Sequence, residues 1–322
     1  MNQQPKLVVT GANGFVGRAL CAGAVARGLI VRGITRSAHA LPSGAENLVV
    51  ANLEDGADWR NALVGSQTVI HLAARVHVVA DKAKNPLNEF RRINVLGTLN
   101  LARQAAAAGV HRFVFISSVK VNGEATTLGL PFFADDIPAP LDPYGISKME
   151  AEQGLQKIAA ETGMEVVIIR PPLVYGPGVK ANFQTMMRWL ARGVPLPLGA
   201  IHNRRSMVAL ENLVDLILTC IDHPAAANQT FLVSDGEDLS TTQLLQRLGR
   251  VLGKPARLIP VPATLLKGGA ALVGKPAIAQ RLCGSLQVDI SKTQQLLGWT
   301  PPLSVDEGLK RAAEGYLREA SV

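Results

Sequence analysis

Short, continuously apolar runs alternate with helix-length segments through the first half of the chain. Lys6-Leu-Val-Val-Thr10, Leu29-Ile-Val-Arg-Gly-Ile34, Asn47-Leu-Val-Val-Ala51, Thr68-Val-Ile-His-Leu-Ala-Ala74, Arg112-Phe-Val-Phe-Ile116 and Glu165-Val-Val-Ile-Ile-Arg170 each read as a buried strand. The stretches 18–27, 86–108 and the one beginning near Tyr144 read as helices. Strands separated in this way predict a parallel sheet with right-handed crossovers, an α/β fold of Rossmann-type, doubly wound architecture. After Arg170 the pattern changes to a proline- and glycine-rich stretch: Pro171-Pro172, Tyr175-Gly-Pro-Gly178, Pro195 and Pro197. Residues 1–170 are therefore expected to form a dinucleotide-binding domain. Residues 171–322 are expected to form mainly a smaller α/β C-terminal, substrate-binding part. Ser206-Met-Val-Ala-Leu210 and Thr230-Phe-Leu-Val-Ser234 are expected to return to the sheet or its edge, and 240–253, 291–297 and 304–320 to be helical.

Gly11-Ala-Asn13-Gly14-Phe15-Val16-Gly17 stands directly between the first strand and the first helix. Glycines there allow a tight turn, close approach of the backbone to a pyrophosphate and close packing of helix on strand, while the helix start offers free N–H groups. Leu72, Ala73 and Ala74 end the fourth strand with residues a cofactor could lie against, and Asn52-Leu53 could flank an adenine. A carboxylate about 20 residues beyond the glycines would accept the ribose hydroxyl of NAD. None precedes Glu46, and Arg36 stands where it would be, which favours the 2′-phosphate of NADP. The cofactor expected is NAD or NADP.

The fifth strand delivers Ser117 and Ser118 at its carboxyl end, and Tyr144 and Lys148 follow one helical turn apart behind Pro143. A free phenol, with a pKa of about 10, is a poor base at neutral pH. A nearby ammonium favours phenolate, and a serine hydroxyl can hold the substrate oxygen in line, so the set suits proton exchange with a carbinol. Ser117 and Pro171, ending the fifth and sixth strands, are counted with the cofactor wall. His71 lies in an apolar strand and reads as a buried, hydrogen-bonded histidine.

Composition narrows the picture without redirecting it. Of 322 residues, 48% are apolar and 4% aromatic, which suits a packed core and excludes disorder. The formal charge of +8 reads as dispersed, with doublets such as Arg91-Arg92 and Arg204-Arg205, and favours small anionic ligands over nucleic acid. Cys21, Cys220 and Cys283 show no paired or metal-ligand spacing, so reduced thiols and no metal are expected. No signal-like stretch opens the chain, and Lys267, Lys275 and glycines interrupt the apolar 261–274 segment. A cytoplasmic protein without a membrane span is expected.

With these motifs in place the chain resembles the extended short-chain dehydrogenase/reductases, and more narrowly the NAD-dependent epimerase/dehydratase family that acts on nucleotide sugars. The resemblance also rests on Ile93-Asn94-Val-Leu-Gly97-Thr98, Arg170-Pro-Pro-Leu-Val-Tyr-Gly-Pro-Gly178, the stretch from Asn203 to Asp215 and Asp289-Ile-Ser-Lys-Thr-Gln-Gln-Leu-Leu-Gly-Trp299. It implies that Tyr144 is the acid/base, that Lys148 tunes it and binds nicotinamide ribose, and that Ser118 holds the sugar hydroxyl. It further implies that Asn94 supports the lysine, that Arg205 and Arg281 contact the nucleotide diphosphate, and that Asn182-Phe183 lie along the nucleotide. A homodimer through the helices around 86–108 and 144–162 is implied as well.

Departures from the family pattern matter equally. Where 4,6-dehydratases carry Thr-Asp-Glu, this chain has Ser118-Val119-Lys120, and Leu173 replaces an asparagine frequent in UDP-galactose 4-epimerases. The favoured expectation is a UDP-sugar 4-epimerase serving a bacterial surface polysaccharide, on a UDP-linked N-acetylhexosamine or deoxyhexose. The alternatives are an NADPH-dependent reductase of a UDP-4-keto sugar and a non-catalytic NADP-binding regulator, the last opposed by the presence of both Tyr144 and Lys148.

Overall fold

The structure, a computed structural model, describes residues 6–76, 85–272, 274 and 276–320, so Lys275 lies outside the described residues. Nine strands are described: β1 (Lys6–Thr10), β2 (Ile30–Thr35), β3 (Ala45–Val49), β4 (Ser66–His71), β5 (Arg112–Ile116), β6 (Glu165–Arg170), β7 (Leu173–Tyr175), β8 (Met207–Ala209) and β9 (Thr230–Leu232). The helices are α1 (Phe15–Ala26), α2 (Arg60–Leu63), α3 (Pro86–Phe90), α4 (Thr98–Ala107), α5 (Pro143–Thr162) and α6 (Ala181–Ala191). They continue with α7 (Leu210–Thr219), α8 (Thr241–Val251), α9 (Ala263–Leu272), α10 (Pro276–Cys283), α11 (Ser291–Leu297) and α12 (Val305–Ala320).

Seven strands form one parallel sheet in the order β3-β2-β1-β4-β5-β6-β9. One core lies on each face. Leu20, Val114, Val167, Leu213 and Phe231 belong to the first, and Trp59, Val69, Phe113, Leu155 and Ile168 to the second. Burial on both faces explains the apolar runs of β1, β2, β4, β5 and β6, whereas β3, expected as a buried strand, lies at the sheet edge and has no buried residue. Strand order reverses between β1 and β4, so the backbone diverges there and opens the crevice where such sheets bind ligands.

Three local differences from the sequence reading have physical causes. Pairing of β4 with β1 ends at Thr10–His71, because Gly11 turns the chain away, and Leu72–Ala74 therefore lie beyond the strand. The expected 86–108 helix is broken by a π-helical segment, Arg91–Gly97, which holds Asn94. Of the two segments expected to rejoin the sheet, β9 does so at its edge, whereas β8 does not. It pairs with β7 instead, Leu173 to Met207 through Tyr175 to Ala209, in a separate two-stranded sheet.

Beyond Arg170 a third core forms around Tyr175, Phe183, Met187, Leu245, Leu248 and Leu309. Tyr175 donates to Asp235 at 2.7 Å, and Asp235 also accepts from the Ala209 amide and Asn212, each at 2.7 Å. This buried node fastens β7, β8 and α7 together. Trp299 donates to Asp215 at 2.9 Å, joining two of the stretches that carried the resemblance. Among the described residues no helix is long and apolar enough to cross a membrane.

Candidate active site

The glycine turn occupies the switch point. Gly11 has φ +69°, where a side chain would be strained, and a Cβ on it would meet the Ala73 amide nitrogen at 3.0 Å. A Cβ on Gly17 would lie 2.1 Å from the Gly11 carbonyl oxygen, so this glycine is what lets α1 pack onto the turn. Gly14 caps α1, and no side chain bonds the first amides of the helix. Those N–H groups and the helix dipole together favour an anion. The cradle fits a dinucleotide pyrophosphate. Asn13 and Gly14 are exposed at its rim, while Phe15 and Val16 are half-buried against the first core.

At the end of β2, the Thr35 hydroxyl lies within hydrogen-bond distance of two acceptors, the Ser37 carbonyl at 2.8 Å and Asn47 Oδ1 at 2.9 Å, bracing the loop. Arg36 is exposed there and hydrogen-bonds to no described residue. Glu46, the first carboxylate in the sequence, is held by Arg32 at 3.0 Å. Asn52 is exposed and accepts from the Glu54 amide at 2.8 Å. Leu53 is approached by Gly97, on which a Cβ would fall 1.9 Å from the Leu53 carbonyl oxygen.

His71 is buried and bridges Thr10 at 2.7 Å and Thr98 at 3.0 Å. Burial, reinforced by Lys148, pushes its pKa down to about 3, so it stays neutral at ordinary pH and takes a packing role. Asn94 accepts from the Arg75 amide at 2.7 Å and donates to the Arg75 carbonyl and to Ser147, both at 3.0 Å. It thereby ties the chain leaving β4 to α5. A π-helical turn displaces backbone relative to an α-helix, and such turns recur at functional sites.

Asp142 caps α5 by accepting from the Gly145 amide at 2.6 Å, Pro143 occupies its first turn, and Gly163, with φ +75°, ends it. This places Tyr144 and Lys148 against the end of β5. Lys148 is buried; its Nζ donates to the Ile116 carbonyl at 2.8 Å and sits 4.3 Å from the centre of the Phe115 ring. Burial pushes its pKa down to about 7, with Glu152 pulling the other way. Tyr144 is half-buried, its ring packed edge-on against Phe90 at 6.1 Å, and its hydroxyl hydrogen-bonds to no described residue. Burial, with Asp142 adding to it, raises the phenol well above its ordinary value. Desolvation thus opposes the phenolate that a neighbouring ammonium favours.

Ser117 is buried, and its Oγ has no hydrogen-bond partner among the described residues. Such orphans are uncommon in folded proteins, and a ligand group would satisfy this one. Ser118 is half-buried and accepts from the Lys120 amide at 3.3 Å. Lys120 pairs with Asp142, so it braces the α5 cap. Pro171 is buried, and its carbonyl accepts from the Val119 amide at 3.0 Å.

The expected substrate residues fall into a second group. Arg205 is half-buried, and its guanidinium donates to the carbonyls of Arg281 at 3.1 Å and Gly284 at 3.2 Å; burial lowers its pKa. No described carboxylate pairs with it, which leaves its charge for an anion. Arg281 is exposed beside it. Asn182 is exposed on the first turn of α6. Phe183 differs from the expectation: its ring is buried and stacked on Tyr175 at 5.4 Å, so only its backbone is left for a nucleotide. The loop between Ser118 and Asp142 links the two groups, pairing through Thr126 with Ser285 and through Phe132 with Val288. Sequence reasoning missed Phe90, the ring that backs Tyr144, although it lies one helical turn before Asn94 in a stretch read as helix.

A parallel sheet with a glycine turn at its switch point, and a buried lysine behind an unpartnered phenol, define a nicotinamide-dependent oxidoreductase fold. Residues 7–234 match the NAD dependent epimerase/dehydratase family, and the chain belongs to that family. It is 48% identical over 319 residues to a UDP-glucose 4-epimerase of Vibrio cholerae, covering 98% of this chain and 97% of that one. It is 28% identical to an N-acetyl-alpha-D-glucosaminyl-diphospho-ditrans,octacis-undecaprenol 4-epimerase of Escherichia coli, covering 96% and 94%. Among solved structures, MoeE5 in complex with UDP-glucose and NAD superposes with a TM-score of 0.78 at 26% identity, covering 98% of this chain and 100% of that one.

Proposed function

We propose that the protein is an NAD-dependent UDP-sugar 4-epimerase with Tyr144 as its proton carrier. The observation that carries this reading is the phenol hydroxyl of Tyr144, hydrogen-bonded to no described residue and set beside buried Lys148 at the carboxyl end of β5. Gly11, Gly14 and Gly17 with the first amides of α1 would hold the pyrophosphate, and Leu72–Ala74, Asn94, Ser117 and Pro171 would line the rest of the cofactor site. NAD, when bound there, supplies the hydride acceptor and donor and, when oxidised, a positive charge.

The chain's own residues manage the proton. Ser118 and Tyr144 hold the C4 hydroxyl, and Tyr144 takes its proton as the C4 hydrogen departs. The phenol then returns the proton to the oxygen after the 4-keto sugar has turned. The raised pKa suits Tyr144 as a proton donor to an alkoxide; a cofactor held in this site would, when oxidised, add positive charge that favours the phenolate. Arg205 and Arg281 would bind the diphosphate and Asn182 the nucleotide. Dehydratase chemistry lacks its acid and base, since Val119 and Lys120 stand where the family's dehydratases carry Asp and Glu.

The division into a dinucleotide-binding part, 1–170, and a nucleotide-sugar-binding part, 171–322, follows from these assignments. A cytoplasmic homodimer through α4 and α5 is part of the proposal; the exposure of Leu96 beside them supports it. A UDP-linked N-acetylhexosamine or deoxyhexose destined for a surface polysaccharide is the preferred substrate class.

Arg36, unpaired at the end of β2, favours a second reading, an NADPH-dependent reductase of a UDP-4-keto sugar. One experiment separates them: mass and absorption analysis of cofactor released from the purified protein, together with chromatography of UDP-hexoses before and after incubation. Retained NAD with interconversion of C4 epimers supports the epimerase. Protein that releases no cofactor and oxidises NADPH only with a 4-keto sugar overturns it.

A further inference from the structure

Lys120 lies two residues beyond Ser118, in the 3₁₀ turn Val119–Val121 that follows β5. Three parts of this one residue reach the two hydroxyl-bearing side chains of the site. Its amide donates to Ser118 Oγ at 3.3 Å. Its carbonyl oxygen lies against the start of α5, where a Cβ on Gly145 would fall 2.9 Å from it, so the glycine after Tyr144 permits that close approach. Its ammonium pairs with Asp142, two residues before Tyr144, and lies 3.6 Å from Glu124.

Asp142 in turn divides its two oxygens. Oδ1 accepts from the Gly145 amide at 2.6 Å and so caps α5, while Oδ2 takes the Lys120 ammonium. The two side chains are 16% and 31% exposed, so water screens this pair less than it screens an ordinary surface ion pair. A carboxylate at this point of the helix opposes a phenolate at Tyr144, adding to the effect of burial. The ammonium of Lys120 offsets that charge. Other ionic groups around α5 are matched or fixed. Arg91 of the π-helical segment is held by Glu150, Arg92 by Glu54 and by Glu89 of α3, and Arg170 of β6 by Glu152. His71 of β4 stays neutral. Lys148 and Arg75, whose guanidinium lies 5.6 Å from the centre of the Phe90 ring, bring positive charge to the same side.

We propose that Lys120 is a positioning residue for the reaction: by tying Asp142 to the turn that carries Ser118, it sets the Ser118 and Tyr144 hydroxyls on one substrate oxygen and offsets the carboxylate beside the phenol. This role presupposes Tyr144 as the proton carrier. A substrate group as the main partner of Lys120 is disfavoured, because two carboxylates already face its ammonium. Catalysis by two hydroxyls on one oxygen is sensitive to their spacing, and a shift of about 1 Å can cost about 10²-fold in rate.

The test is the pH dependence of kcat for UDP-hexose interconversion by the whole protein. Epimerisation begins when the phenol takes a proton, so the rate climbs with pH as phenolate forms. Lys120→Met keeps the aliphatic stem and leaves Asp142 uncompensated. It should lower kcat by about tenfold or more with KM nearly unchanged, and move the ascending limb up by roughly one pH unit. Lys120→Arg should hold the limb where the unaltered protein has it. Asp142→Asn keeps a capping side chain and should move the limb down. The double variant Lys120→Met with Asp142→Asn should bring it back toward its original place. A role in folding alone would lower the melting temperature, leave the limb in place and make the two losses add. That pattern, a loss confined to KM, or a limb that moves equally in Lys120→Arg and Lys120→Met would overturn the proposal. Should Lys120→Met fail to fold, the direction of the Asp142→Asn shift decides. An unaltered protein that interconverts no UDP-hexose overturns the epimerase reading alone. The same upward shift for Lys120→Met is then read on the descending limb of 4-keto-sugar reduction, where Tyr144 must start protonated.

Discussion

The Nζ of Lys148 lies 6.0 Å from the centre of the Tyr144 ring and donates its hydrogen bond to the Ile116 carbonyl rather than to the phenol. The lysine thus acts on the tyrosine through its field and its place on the helix. Burial disfavours the charged form of both, raising the phenol and bringing the amine down to about 7.

Tyr144→Phe removes the hydroxyl proposed as proton carrier and leaves the ring packed on Phe90. Turnover should fall by about 10²–10⁴-fold while nicotinamide cofactor still binds, as read by retained cofactor in the purified variant. Undiminished epimerisation would refute the acid/base role.

Arg36→Asp exchanges an unpaired guanidinium for a carboxylate at the end of β2. Binding of NADP should weaken by tenfold or more, on the order of one charge-assisted hydrogen bond, while NAD binding holds or improves. Titration by nucleotide fluorescence checks this; equal losses for the two would show that Arg36 does not read the 2′-phosphate.

Glu152 and Arg170 form a buried ion pair at 2.6 Å, with side chains 3% and 5% exposed. Arg170→Met alone strands a buried carboxylate and should destabilise the fold by about 3–5 kcal/mol in denaturant titration. Adding Glu152→Leu should recover most of that. The double variant also removes the carboxylate that supports the ammonium of Lys148, so the alkaline limb of its activity profile should move to lower pH.

His71, with its pKa near 3, resists protonation when folded, whereas in the unfolded chain it protonates near 6.5. Between those values the unfolded state binds the extra proton, so stability falls as pH drops below 6.5. The contribution reaches about 3 kcal/mol at pH 4. His71→Gln keeps hydrogen-bonding capacity between Thr10 and Thr98 and should flatten the acid side of the stability profile by one proton; an unchanged slope would contradict the burial argument.

Much of the framework follows from local chemistry and was legible without coordinates. Five apolar runs became β1, β2, β4, β5 and β6 because a strand covered on both faces must be apolar throughout, whereas the third became the exposed edge strand β3. The turn from Gly11 to Gly17 and the Asp142-Pro143 start of α5 are set by steric and capping rules that act over a few residues. Tyr144 and Lys148 share a helix face for the same reason.

What required the tertiary structure depends on neighbours distant in sequence. β8 reads like a strand of the main sheet, but only the path of the chain after Arg170 hands it to β7. Phe183 could not be told from a ligand-facing aromatic until Tyr175 was seen stacked against it, and the break at Arg91–Gly97 lies inside an otherwise helical pattern. The desolvation of Tyr144 and Lys148 was not legible in the sequence, because spacing reveals a partner charge but not the water removed around it. Side-chain order along the chain determined which groups could meet; packing across the sheet decided how dry they are, and so which of them carries a charge.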